Sequence, residues 1–212
     1  MRKKLLIVLF LTVVLVACKN ENNYIIPTDF SLFMPDSAQI SNGITEKQQQ
    51  KRTGEFLKAI RKNTLNHVIP NITVCDLKGQ SQNLKEQLIN TKLIIASRLT
   101  CAWDMDGVLN DFPKANQLIE NPIDKSEIVL LILREKNDYF NQQYEDNLYE
   151  IKRNYSKIFI IDSLQSTELN IFGFTRYYIS EEHIVLDIGN GTYLSDDYMR
   201  FELEKNTVAK NK

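Results

Sequence analysis

Six consecutive aliphatic side chains, Ile128-Val129-Leu130-Leu131-Ile132-Leu133, constrain the fold of this 212-residue chain more than any other feature. A run of that kind, bounded by polar residues, reads as a β-strand buried on both faces, and such a strand needs helices packed above and below its sheet. The flanking sequence supplies them. Upstream, Lys92 to Ala96 is a second compact apolar run. The stretch Cys101 to Ile119 then has helical spacing, with Val108, Leu109, Phe112, Ala115 and Leu118 able to share a face and Pro113 predicted to kink or restart it. Downstream, Tyr144, Leu148 and Ile151 mark a helix from Tyr139 to Asn154, and Lys157 to Ile161 is a further strand. Before these, Ile72 to Leu77 alternates like a strand, Lys78-Gly79 turns, and Leu84 to Ile89 suggests a short helix.

After them, Ser166 to Phe172 reads as a helical turn stopped by Gly173. Tyr177 to Ile179 and His183 to Ile188 should pair as an antiparallel hairpin, and Ser195 to Glu204 should close the chain as a helix. This order implies an α/β layered fold with a mixed sheet flanked by helices. Its site should lie in the loops at the carboxyl ends of the parallel strands.

The N-terminus carries a processing signal. Arg2, Lys3 and Lys4 precede an apolar stretch from Leu5 to Ala17, the pattern of a secretory signal. At 1.5 Å per residue that stretch spans roughly 20 Å, short of the ~30 Å hydrocarbon core. Its last residues with the cysteine, Leu15-Val16-Ala17-Cys18, resemble the lipobox of bacterial lipoproteins. That resemblance implies cleavage after residue 17 and acylation of Cys18, palmitate included, and so a membrane partner held through lipid. It also implies a cell-envelope location outside the cytoplasm, where disulfides are permitted. Lys19 rather than Asp follows the lipidated position, which by resemblance to enterobacterial sorting leans toward the outer membrane. The expected organisation is a signal peptide over 1–17, a tether and N-terminal helical arm over 18–65, the main domain over 66–205 and a tail over 206–212. Within the arm, Thr45 to Lys62 is the helix, with Phe56, Leu57 and Ile60 on one face.

Several function classes are excluded early. With 26 basic against 27 acidic side chains there is no massed positive face for nucleic acid. His67 and His183 belong to no metal motif, no glycine-rich phosphate loop is present, and the sequence calls for no metal or cofactor. Asp104, Asp106 and Asp111 lack calcium-loop spacing and are expected to form a solvated face.

Chemistry is concentrated at Cys101. It opens a helix after the strand Lys92 to Ala96 and the loop Ser97-Arg98-Leu99-Thr100, where unpaired N–H groups and the helix dipole favour a thiolate. Asp104 and Asp106 act in the opposite sense, because a nearby carboxylate disfavours the thiolate. A partly buried structural cysteine is the competing reading. Cys75, in the first predicted strand, leaves three outcomes open: both thiols free, a Cys75–Cys101 disulfide, or Cys101 bonded to another molecule. A Cys75–Cys101 bond, closing a loop of 101 − 75 = 26 residues, would bring about 3.5 kcal/mol in the chain-entropy model.

Taken with the turn Asp76 to Gln80, the segment Leu93 to Asp104, the run Ile160-Ile161-Asp162 to Thr175, and the hairpin with Gly189-Asn190-Gly191, the chain resembles the thioredoxin-like superfamily. The resemblance is to membrane-anchored thiol-disulfide oxidoreductases of the TlpA kind and related Bacteroidetes lipoproteins, and it covers roughly residues 69 to 203. It implies thiol exchange at Cys101 with a protein thiol or peptide as partner. Two departures stand out. The second position of Cys-x-x-Cys is Asp104, so Cys101 has no resolving partner there. The stretch Gly173-Phe174-Thr175-Arg176-Tyr177 also lacks the family's cis-proline. In its place Arg176 is a candidate cation beside Cys101, and Trp103, Thr175 and Arg176 are the candidate residues of a peptide-binding groove. Two functions follow as expectations: a single-cysteine redox protein, or a redox-inactive binding module on the same fold.

Overall fold

The computed structural model describes residues 23–33, 43, 45–97, 99, 102–134, 138–171, 173–190 and 196–208. The signal segment, Cys18 and Cys101 lie outside the described residues, and so does the expected cleavage and acylation site. Seven strands form one sheet: β1 (Thr73–Asp76), β2 (Ser81–Asn83), β3 (Leu93–Ser97), β4 (Ile128–Leu133), β5 (Lys157–Ile161), β6 (Thr175–Ile179) and β7 (Val185–Asn190), in the order β2-β1-β5-β4-β3-β6-β7. Strands β3, β4 and β5 are parallel, whereas β1, β2, β6 and β7 add antiparallel pairings. The helices are α1 (Glu46–Thr64), α2 (Leu84–Gln87), α3 (Ala102–Asp106), α4 (Phe112–Leu118), α5 (Asp138–Asn154), α6 (Ser163–Glu168) and α7 (Asp196–Val208). This is the expected α/β layout of a mixed sheet flanked by helices: parallel strands linked by crossover helices, then an antiparallel hairpin and a closing helix.

All six side chains of β4 are buried, as the aliphatic run requires, and they divide by alternation between two cores. Val129, Leu131 and Leu133 pack with Ile94, Ala96, Tyr177 and Ile179, and with Phe56 and Ile60 of α1. Leu130 and Ile132 pack on the other face with Leu93, Ile95, Met105, Val108, Phe112, Ile151 and Leu203. Each such side chain contributes about 1.5–3 kcal/mol on burial, so β4 anchors both layers.

Four local features differ from the sequence reading. Ser81–Asn83 forms β2, paired with β1 across the Lys78-Gly79 turn; three polar residues give no apolar periodicity to read. The helical turn after β5 starts earlier, at Ser163, with Asp162 as its cap. It ends at Glu168 with Leu169 as its cap, and Asn170, at φ +55°, rather than Gly173 turns the chain away. Asn tolerates that left-handed conformation better than other non-glycine residues. His183 also has a positive φ, +62°, so the second hairpin strand begins after it. Last, residues 23–28 are no free tether. Val68 N–H donates to Asn23 O at 2.8 Å, Ile25 N–H to Val68 O at 3.0 Å, and Ile26 N–H to Asn63 O at 3.0 Å. Asn170 then holds both sides of the segment, accepting from Thr28 N–H at 2.7 Å and donating to Ile26 O at 2.9 Å.

The connection between α3 and α4 explains what Pro113 does. The helix widens into a π-turn over Gly107–Asp111, where Phe112 N–H reaches back to Gly107 O. Pro113 has no N–H to give to the carbonyls of Val108 or Leu109. Both are satisfied from the end of α5 instead: Tyr155 OH donates to Val108 O at 2.7 Å, and Asn154 Nδ2 donates to Leu109 O at 3.0 Å. Burial raises the Tyr155 phenol far above its ordinary pKa, so it stays a neutral donor.

Candidate functional site

The parallel strands β3, β4 and β5 end on one edge of the sheet, and the start of β6 lies there too, since Ala96 is paired with Thr175. The β3–α3 crossover that contains Cys101 opens from this edge. Ser97 closes β3 fully buried, and its Oγ accepts from Leu99 N–H at 3.2 Å. Leu99 has φ +50° and is buried in the core. A left-handed backbone at a non-glycine residue costs on the order of 1 kcal/mol or more and persists where surrounding packing imposes it, a pattern found at ligand-handling sites. Helix α3 begins at Ala102, and the candidate nucleophile Cys101, outside the described residues, precedes it in sequence.

Asp104, three positions after Cys101, is buried and not on the expected solvated face. Asp106 is exposed and Asp111 is half-buried, so the three acidic residues do not form one surface. Asp104 faces Gly173: a Cβ built on that glycine would lie 3.9 Å from Asp104 Oδ1. Gly173 itself has φ +60°, the conformation that favours glycine. The α3 helix and the loop into β6 therefore meet at this carboxylate. Trp103 lies in α3 next to Asp104, and its side chain is outside the described residues.

Thr175 and Arg176 do not share a surface. Adjacent strand residues point to opposite faces, and both are fully buried. Thr175 hydrogen-bonds the Tyr177 phenol, on the face packed by α1. Arg176 points to the α7 face and is enclosed there. Its Nε donates to Glu202 Oε1 at 2.9 Å and its Nη2 to Oε2 at 3.0 Å, a bidentate pair, while its guanidinium lies 4.9 Å from the centre of the Phe174 ring. Tyr178 OH donates to the same carboxylate at 2.8 Å. Burial works against the charge of Arg176, but the hydrogen bonds and charge of Glu202 outweigh it and raise its pKa. Burial and the Glu202 charge push the Tyr178 phenol well above its ordinary range. Arg176 is therefore neither solvated nor held out toward a groove; its guanidinium locks α7 to the sheet.

Sequence reasoning missed Glu202 and Gly189. Gly189 stands opposite Arg176 in the β6–β7 register, and a Cβ there would overlap the Glu202 carboxylate. A lone acidic residue in the closing helix carries no local signal that it serves a buried arginine 26 positions away. Cys75 is free and half-buried in β1, three strand steps from β3, so the expected alternative of a Cys75–Cys101 disulfide is not formed. Among the described residues no cluster of three or more His, Cys, Asp or Glu could hold a metal, and no helix is long and apolar enough to cross a membrane.

No family model and no curated protein sequence matches the chain. Among solved structures, it is similar to a thioredoxin-like protein from Bacteroides caccae (14% identity, TM-score 0.44), covering 77% of this chain and 58% of that one. It is also similar to a thiol:disulfide interchange protein from Bacteroides sp. (16% identity, TM-score 0.42, 67% and 89% covered). A third is an exposed lipoprotein thioredoxin from Streptococcus pneumoniae (11% identity, TM-score 0.42, 64% and 99% covered). The chain thus spans less than two thirds of the length of the Bacteroides caccae protein.

Proposed function

We propose that this chain is a lipid-anchored thioredoxin-like protein of the cell envelope that exchanges disulfides through the single thiol of Cys101. The observation that carries the reading is the β3–α3 crossover itself. It opens at the carboxyl edge of the parallel strands, beside the start of β6, and is entered through the left-handed, buried Leu99. Loops at this edge hold the ligand sites of open α/β sheets, and Cys101 belongs by sequence to the connection that leaves it.

The exchange has two balanced steps. The Cys101 thiolate attacks one sulfur of a partner disulfide, forming a mixed disulfide and releasing the other sulfur as a thiolate that takes a proton. An external thiol, on a protein or a small molecule, then attacks the mixed disulfide and frees Cys101. Intramolecular resolution is not part of this scheme, because Asp104 stands where a second cysteine would. Cys18, acylated after cleavage of residues 1–17, supplies the membrane attachment.

The buried Asp104 against Gly173 favours a second reading, a redox-inactive module that uses the same edge to bind a peptide. One experiment separates the two. Alkylation of Cys101 is followed against pH in Cys75→Ser protein, with Cys101→Ser as the blank. A thiolate forming near or below pH 7, with turnover of a disulfide substrate, supports exchange. A thiol that reacts only on unfolding leaves the binding module.

A further inference from the structure

The lipid reading fixes where the chain meets the membrane, and the docked segment 23–28 fixes how far the domain can stand from it. Read as an unstructured tether, residues 18–43 would extend to roughly 90 Å at about 3.6 Å per residue. The hydrogen bonds to Val68, Asn63 and Asn170 fasten the chain to the domain from Asn23 onward. Five Cα steps then separate Cys18 from the folded domain, at most about 18 Å.

The place where that short tether joins is set by the sheet. Asn23 and Tyr24 pair with Val68, and Val68 pairs with Ile184 at the foot of the β6–β7 hairpin. Ile179 is hydrogen-bonded to Lys92, so the start of β3 lies at this end as well. The Cys101 crossover and Thr175 lie at the other end, about 17 Å away along the six residues of β4. Tyr24, Ile26 and Ile89, all apolar and exposed, belong to the anchored end, and a tyrosine suits the boundary between apolar chains and water. Glu181 and Glu182 at the hairpin tip share this end with Lys85, Lys92 and Lys157, so it carries no single sign of charge and the acyl chains would hold it down.

We infer that the domain lies with its β6–β7 hairpin end on the lipid surface and its Cys101 edge turned away, at a short and nearly fixed height. The partners of that edge are then proteins that reach it from the aqueous side within a few nanometres of the bilayer. This inference rests on acylation of Cys18 and on nothing else in the functional reading.

The test uses the full chain with its native lipid, reconstituted in phosphatidylcholine vesicles that carry a trace of rhodamine-labelled lipid. In a Cys75→Ser, Cys101→Ser background a donor dye is placed at Glu181→Cys or at Arg134→Cys, which follows β4 on the opposite edge. Energy transfer to the lipid should be at least roughly twofold greater from residue 181, given the ~17 Å between the two ends. A flexible 20-residue Gly/Ser insertion between Asn22 and Asn23 should abolish the difference. Equal transfer from the two positions in protein that floats with vesicles would overturn the orientation while leaving lipidation intact. Failure to float, with an unmodified Cys18 by mass, would remove the lipid reading and this inference with it.

Discussion

Glu202→Gln isolates the electrostatic contribution of the buried Arg176 pair, because it keeps the side chain's size and removes its charge. In the folded chain Arg176 is fully buried and donates two hydrogen bonds to Glu202, and Tyr178 donates a third. Neutralising the acceptor leaves a guanidinium desolvated without a counter-charge. Loss of one partner of a buried pair costs about 3–5 kcal/mol. For a domain of this size each kcal/mol moves the melting temperature by about 2–4 °C, so the variant should melt roughly 6–20 °C lower. The double variant Arg176→Met, Glu202→Leu should recover most of that loss, since well-packed apolar pairs often equal the ion pair they replace. Thermal melts followed by circular dichroism read all three proteins. If Glu202→Gln melts within a degree or two of the parent, the pair is not enclosed as described and the docking of α7 has another cause.

Further expectations follow from the same geometry. Gly189→Ala should destabilise by displacing the Glu202 carboxylate, and combining it with Glu202→Gln should add less than the two single losses, because both act on one pair. Tyr155→Phe strands the Val108 carbonyl at the π-turn and should cost about 1–3 kcal/mol by chemical denaturation. Burial pushes the Asp187 carboxyl up, but hydrogen bonds from Lys205, the Ile188 N–H, Arg61 and Asn206 outweigh it and hold its pKa at about 2. Since its ordinary value is 3.8, this stabilisation is complete above that pH and is lost as pH falls through about 2. Asp187→Asn should therefore flatten acid unfolding between about pH 4 and 2, with little change in its pH dependence above 5. Asn170→Gly keeps the left-handed backbone but removes both clamps on the N-terminal segment, so amide exchange at Ile25 to Thr28 should rise while β4 stays protected.

Much of the fold was legible because it rests on long apolar patterns. The β4 run, the Lys157 to Ile161 strand and the helix ending at Asn154 stand where their periodicity puts them. What could not be read depends on partners distant in sequence. Ser81–Asn83 becomes a strand only because β1 is beside it. The Asn-rich segment after residue 22 has the composition of a linker, yet Asn170, 142 positions beyond Thr28, fastens it. At the site, position was legible and environment was not. The crossover after β3 was found from a strand followed by helical spacing. That Asp104 is buried against Gly173, and that Arg176 is spent on Glu202, follows from packing between α3, α7 and the sheet that no local pattern encodes.

The most direct test of single-thiol exchange is to count the thiol that reacts in the folded state. Native Cys75→Ser protein, with Cys18 acylated, is mixed with an aromatic disulfide, and the released thiolate is measured beside intact mass. The account predicts one equivalent released, one mixed disulfide on Cys101, and full regeneration of the thiol on adding an external thiol. Release seen only after denaturation, with the folded protein unmodified, would contradict it.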